Sequence, residues 1–227
     1  MRKLTDQTMA RMLRESIVKD AQGNPLRVFR GEHGETDSSK RPMQTLLGSL
    51  SFGDAKTAST YAMSPNDSRM TAKSPVVYPA YLIIRKPFIE APDDPFIDYV
   101  HLEKHLGREV ADQYFLKYAD HAENTNNWCD EINSDNAFSG VKDFHARHPE
   151  RMSELYMNLY PLLDDSDFIA VLKLKGFDGA VHCGSGENGL ETEYRVFDES
   201  SVIFALSKEA SIAVTNQKER ESPSIAA

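Results

Sequence analysis

The side chains best suited to chemistry stand at opposite ends of the chain. Arg30 closes the segment Pro25-Leu26-Arg27-Val28-Phe29-Arg30-Gly31, and Glu191 and Glu193 open Glu191-Thr192-Glu193-Tyr194-Arg195-Val196-Phe197-Asp198. An arginine ending a strand beside a glycine presents a fork of donors that can grip a phosphate. Two glutamates spaced i, i+2 on a strand project from one face. Together they suit a dinucleotide whose glycosidic bond is to be broken. Each part alone has an ordinary explanation, as an exposed strand-end arginine or as the wet face of an edge strand. Ser49-Leu50-Ser51 adds two hydroxyls on one side of a further strand, and by itself would serve as a small-residue strand packed on a helix.

The chain must bring these segments together. Its 227 residues, 40% hydrophobic, suffice for one good core. The formal charge of -9 gives no general footprint for a phosphate backbone. Cys129 and Cys183 are the only cysteines, too few for a disulfide scaffold or a zinc set, which fits a reducing compartment. No run approaches the roughly 18 apolar residues of a membrane span, and the start lacks a signal-peptide core, so the expectation is a soluble protein in a cytoplasm. Thr5 can cap a short helix to about Glu15, and Gly23-Asn24 turns a hairpin. Polar stretches at 32–45 and 63–75 read as loops, of a length that is often functional. Helical periodicity spans 97–124 (Leu102, Leu106, Val110, Tyr114) and 141–163 (Leu155, Leu159, Leu162). Strands return at 179–182, 191–197 and 202–206, before a small, polar tail.

Other clusters carry less. His101 and His105 have a metal-gripping spacing on a helix, but no glutamate follows the first as in His-Glu-x-x-His, and a solvated helix face explains them. His145 and His148 are discounted likewise, so no metal is assigned. Trp128 and Cys129 read as an anchor between the long helices. Gly184-Ser185-Gly186-Glu187-Asn188-Gly189 matches neither a hydrolase serine elbow nor a Walker loop.

Five segments in order resemble the ADP-ribosyltransferase superfamily, and in particular the domains of that kind in phage and mobile-element polyvalent proteins. Ser16 to Phe29 is similar to the opening hairpin "V-x-D-x-x-G-x-P-L-x-V-(Y/F)". Leu47 to Asp54 leads into a helix at 55–62 that ends in the family's Ala-x-x-Tyr-Ala. Val77 to Phe88 resembles "V-x-x-x-Y-L-x-I-K-N-P", with Lys86 in place of the asparagine. Leu174 to Val181 resembles "L-K-x-x-G-(Y/F)-D-G-(V/I)", and the glutamate strand follows. About half of the chain is covered. The resemblance implies an α+β fold with a split β-sheet core in a single domain over 1–207, a helical insertion at about 97–165, and a disordered tail over 208–227.

The resemblance also implies roles. Most polyvalent-type sequences carry histidine where this chain has Arg30, which moves it toward the arginine-serine-glutamate branch. Arg30, with Gly31 and Tyr61, would bind NAD+ as co-substrate, and Phe52 would stack on nicotinamide. Either Ser49 or Ser51 would position Glu193, whose carboxylate would stabilise the oxocarbenium-like state as the nicotinamide bond opens. Glu191, completing Glu-x-Glu, implies an acceptor arginine on a target protein. The glycine-rich 184–189 segment is similar in place to the turn that presents the acceptor. The implied function is a mono-ADP-ribosyltransferase acting on bacterial proteins, of phage or secreted-effector origin. Alternatives are a nucleotide or nucleic-acid acceptor, against which the charge weighs mildly, plain NAD+ hydrolysis, and a catalytically silent binding module. The sequence identifies no immunity protein or inhibitor.

Overall fold

A computed structural model describes residues 6–32, 48–63, 75–184 and 191–205. The expected loops at 32–45 and 63–75, the 184–189 turn and the tail fall almost wholly outside these residues. In chain order the N-terminal part comprises α1 (Asp6–Glu15), β1 (Val28–Glu32), β2 (Leu50–Phe52), α2 (Ala55–Met63), β3 (Val76–Leu82), β4 (Pro87–Ala91) and β5 (Phe96–Asp98). A helical region follows, with α3 (Tyr99–Leu106), α4 (Arg108–Lys117), α5 (Ala119–Glu123), a π-helical turn (Asn127–Ile132), α6 (Val141–Arg147) and a 3-10 turn (Pro149–Glu154). It continues through β6 (Tyr156–Asn158), α7 (Tyr160–Asp164) and α8 (Ser166–Leu174). The chain then forms β7 (Gly179–Cys183), β8 (Thr192–Val196) and β9 (Val202–Phe204).

The result is a mixed α+β fold. Strands order as β1-β3-β9 in one sheet and β2-β8-β7-β4 in a second, with β5-β6 as a separate ribbon. Pairing is antiparallel except between β4 and β7. The two main sheets touch through one bridge, Phe29 to Gly53, closed by hydrogen bonds of 2.8 and 2.9 Å. Behind the bridge both sheets share an apolar core: Val28, Ala80 and Leu82 from the first meet Leu50, Phe52, Val181 and Val196 from the second. Burial of these side chains, rather than strand hydrogen bonding, therefore joins the sheets.

The segment 77–88, which reads as one strand, is two. β3 ends at Leu82 and the chain crosses to the other sheet before β4 begins at Pro87. The break has a hydrogen-bonding cause. The amides of Arg85 and Lys86 donate to the Asp178 carboxylate, at 3.0 and 2.9 Å, and Pro87 has no amide to give. The Ser16 hydroxyl fixes the corner, donating to the Leu82 carbonyl at 2.8 Å and accepting from the Ile84 amide at 3.1 Å.

The helical region also departs from its periodicity. Leu155, Leu159 and Leu162 are buried as the spacing requires, yet α6 stops at Arg147 and Leu155 leads into β6. Pro149 disfavours helix at His148, and Tyr156-Met157-Asn158 pairs instead with β5. The insertion's core, built on Leu102, Phe115, Phe144, Leu162 and Phe168, runs continuously into Phe88, Phe177 and Phe197 at the sheet. Among the described residues no helix is long and apolar enough to cross a membrane.

Candidate active site

Strand β8 alternates between two environments. Tyr194 and Val196 face the shared core, whereas Glu193 and Arg195, with Glu191 just before the strand, face the other way. The neighbouring strands add to that second face by register: Ser51 of β2 lies opposite Arg195, and His182 of β7 lies opposite Glu193.

Ser51 is the junction. Its hydroxyl bonds Oε1 of Glu193, and its carbonyl accepts from Nη1 of Arg30 at 3.2 Å. The N-terminal guanidinium and the C-terminal carboxylate are thus one residue apart in space. Arg30 reaches this position because Phe29 holds the bridge to Gly53, and its Nε donates to Oε1 of Glu32 at 2.8 Å. The Arg30 side chain is only 13% exposed.

Glu193 has a second partner absent from the sequence reading. Nε of Arg195 stands 2.6 Å from its Oε1, a contact along which the N–H is not directed, so the attraction is ionic. Nη1 of Arg195 donates to Oδ1 of Asp164 at 2.7 Å and to Oγ of Ser49 at 3.4 Å. The Ser49 hydroxyl in turn donates to the Leu163 carbonyl at 2.7 Å. Ser49 therefore serves the insertion, and Ser51 is the serine that meets Glu193. Burial pushes the Glu193 carboxyl up, but the adjacent Arg195 charge, helped by the Ser51 hydroxyl, brings it below the usual range. The group is held as a carboxylate.

His182 is buried, and burial pushes its imidazole down toward the neutral form. Its Nδ1 lies 2.5 Å from the Cys183 carbonyl, which can only accept, so Nδ1 carries the proton and Nε2 is a bare acceptor. That Nε2 has no partner among the described residues.

Glu191 is held from α2. Its Oε2 bonds the Thr57 hydroxyl, while the Asp54 carboxylate accepts from the Thr57 amide at 2.7 Å at the start of the helix. The Asp54 carboxyl is pushed up by burial but brought below its usual value by the Thr57 hydrogen bonds.

Comparison with protein-family models, with curated proteins and with solved structures finds no match to this chain. What the site can do therefore rests on its own geometry: an ionised, oriented carboxylate at the seam of two sheets, a guanidinium on the same serine, and a second carboxylate on the same strand face.

Of three further residues expected to bind the dinucleotide, Phe52 and Gly31 are taken up by packing and Tyr61 is exposed. Phe52 is 1% exposed in the core shared by the sheets, on the face of β2 opposite Ser51, so the expected stacking surface is a packing residue. Gly31 faces α2 so closely that a Cβ there would lie 1.9 Å from the Ala58 carbonyl oxygen. Its glycine is explained by helix packing. Tyr61 sits one turn beyond Thr57 on α2 and is 40% exposed, on the helix that holds Glu191. Among the described residues no group of three or more His, Cys, Asp or Glu is arranged to hold a metal ion.

Arg195 carried a readable signal, since Glu191-x-Glu193-x-Arg195 continues the alternation that puts the glutamates on one face. Asp164, His182 and Thr57 carried none, because only the folded chain brings them to that face.

Proposed function

We propose that the chain is a mono-ADP-ribosyltransferase that cleaves NAD+ and transfers ADP-ribose to an arginine of a protein target. The observation that carries the reading is the double engagement of Ser51, backbone to Arg30 and side chain to Glu193. Arg30 supplies the planar donor fork for an NAD+ phosphate or the ribose beside it. Glu193 accepts from the ribose 2'-hydroxyl and opposes the positive charge that grows on the sugar as the bond to nicotinamide lengthens. Its ionised state and its fixed orientation are what that step needs. Glu191 faces the same side and orients the acceptor guanidinium, removing its proton as the new bond to C1' forms. The resemblance to polyvalent proteins favours a bacterial target and a phage or effector setting.

Labelled NAD+ incubated with a bacterial lysate and the wild type, Glu193→Ala and Glu191→Ala tests the reading. Glu193→Ala is expected to abolish nicotinamide release. Glu191→Ala is expected to lose transfer while retaining hydrolysis. Equal activity in all three refutes it. A wild type that binds NAD+ but releases no nicotinamide would instead mark a binding module. Labelled nucleic acid in place of a labelled protein band would mark the other acceptor class.

A further inference from the structure

We propose that Arg195 and Asp164 form a positioning arm through which the helical insertion sets the orientation and charge of Glu193; this rests on the reading of Glu193 as the catalytic carboxylate.

The arm spans the seam between insertion and sheet. Arg195 is buried, its side chain 7% exposed, and it lies between two carboxylates, Glu193 at 2.6 Å and Asp164 at 2.7 Å. A buried guanidinium is retained only where anions compensate it, and here one anion belongs to the site strand and the other to α7. Removal of Asp164 would leave Glu193 as the sole counter-ion and free the guanidinium to turn.

The end that holds Asp164 is fixed by its neighbours on both sides. The Leu163 carbonyl accepts from Ser49, and the Asp164 carbonyl accepts from the Gly48 amide at 2.9 Å. A Cβ on Gly48 would stand 2.6 Å from the Asp165 backbone, so the two chains pass at the closest approach glycine allows. Asp165 caps α8, accepting from the amides of Asp167 and Phe168 at 2.8 and 3.2 Å, and takes Lys117 and Tyr118 on its other oxygen at 2.6 and 2.9 Å. Three consecutive residues thus bind the segment leading into β2, β8 and the end of α4 at once. Such a corner moves as a unit, and Arg195 transmits its position to Glu193.

The other groups facing the pair are Ser51 and Ser49 from the β2 segment and neutral His182 from β7, whose unpartnered Nε2 adds no cation. Arg195 is consequently the one cation in direct ionic contact with Glu193 among the described residues.

The experiment compares Asp164→Asn, Arg195→Met and the double variant with wild type in the full chain. It measures kcat and KM for nicotinamide release against pH, and the Glu193 carboxyl titration by NMR. Asp164→Asn is expected to lower kcat about tenfold, and Arg195→Met on the order of a hundredfold, with KM for NAD+ changed less than about threefold. In Arg195→Met the acid limb of the kcat profile and the Glu193 titration both move to higher pH. The double variant is expected to be no worse than Arg195→Met alone, because the arm acts as one unit. Should Arg195→Met fail to fold, Asp164→Asn, whose side chain is 28% exposed, carries the test through the same two readouts. An active wild type with an unmoved acid limb in the variants, or losses that simply multiply, overturns the arm alone. A wild type that releases no nicotinamide overturns the catalytic reading, and the arm with it.

Discussion

Gly31 offers a test of whether β1 carries a glycine for binding or for packing. Replacing it with alanine adds one methyl group toward α2. The new Cβ would stand 1.9 Å from the Ala58 carbonyl oxygen, 2.9 Å from its carbon and 3.0 Å from the Ala62 amide nitrogen. All three are backbone atoms of a helix, so no side-chain rotation relieves them. The helix must withdraw by at least about 1.1 Å to bring the closest contact from 1.9 to 3.0 Å. Ala58 and Ala62, 4% and 1% exposed, would then lose their packing on β1. Overpacking of this kind costs about 3 kcal/mol, the upper end of the usual range. For a chain of this size that corresponds to a fall in Tm of about 6–12 °C. Calorimetry and urea denaturation measure it, with the midpoint falling and the slope unchanged. The same withdrawal carries Thr57 away from Glu191, so transfer is expected to fall further than NAD+ hydrolysis. A Tm within about 2 °C of wild type would refute the packing argument and return Gly31 to the binding role.

Three further outcomes follow from the contacts around the site. Phe52→Ala is expected to destabilise by about 3–5 kcal/mol in chemical denaturation, as for any large aromatic in a core, and a near-neutral result would restore it as a surface for nicotinamide. The two serines should separate: Ser51→Ala is expected to cut nicotinamide release at least about tenfold, whereas Ser49→Ala leaves the Leu163 carbonyl without its donor and costs about 1–2 kcal/mol in thermal melts. Asp198 is held at about 2 by its hydrogen bonds from Lys173 and Ser200, below the usual carboxylate value of 3.8. Its stabilisation is complete above the unfolded value and is lost as pH falls from about 4 toward 2, so Asp198→Asn should lower Tm at neutral pH and flatten its decline across that window.

What could be read from the sequence divides by the range of the interaction. The Glu191–Glu193 face, the hairpin turn and strands β7 to β9 follow from local alternation and turn chemistry, and the structure has them in place. The break at 83–86 was hidden because it depends on Asp178, 92 residues from Lys86, accepting amides that would otherwise continue the strand. Leu155, Leu159 and Leu162 signalled burial correctly but not its vehicle, since Leu155 and Leu159 flank the short strand β6 and Leu162 stands in α7, so that separate elements bury what one helix would have buried. Phe52 failed for a different reason. Alternation places it opposite Ser51, and two sheets packed on one core leave that side no solvent for a ligand to enter.

The seam itself explains why charge collects where it does. A continuous sheet would carry Arg30 and Glu193 at a separation fixed by strand spacing. Here the sheets part beyond the single Phe29 to Gly53 bridge, so strand pairing ends and polar groups on that side need other partners. The Ser51 carbonyl, which faces the gap, finds Arg30, and the Ser51 hydroxyl finds Glu193. Glu32 and Arg195 then neutralise the two charges that the gap has drawn in. A dinucleotide bound there would compete with Glu32 for Arg30 while leaving Arg195 on Glu193. Glu32→Gln should therefore tighten NAD+ binding, by about two- to tenfold in titration calorimetry at low salt, and the gain should shrink as salt rises. Weaker binding in that variant would mean that Glu32 orients Arg30 for the phosphate rather than occupying its place.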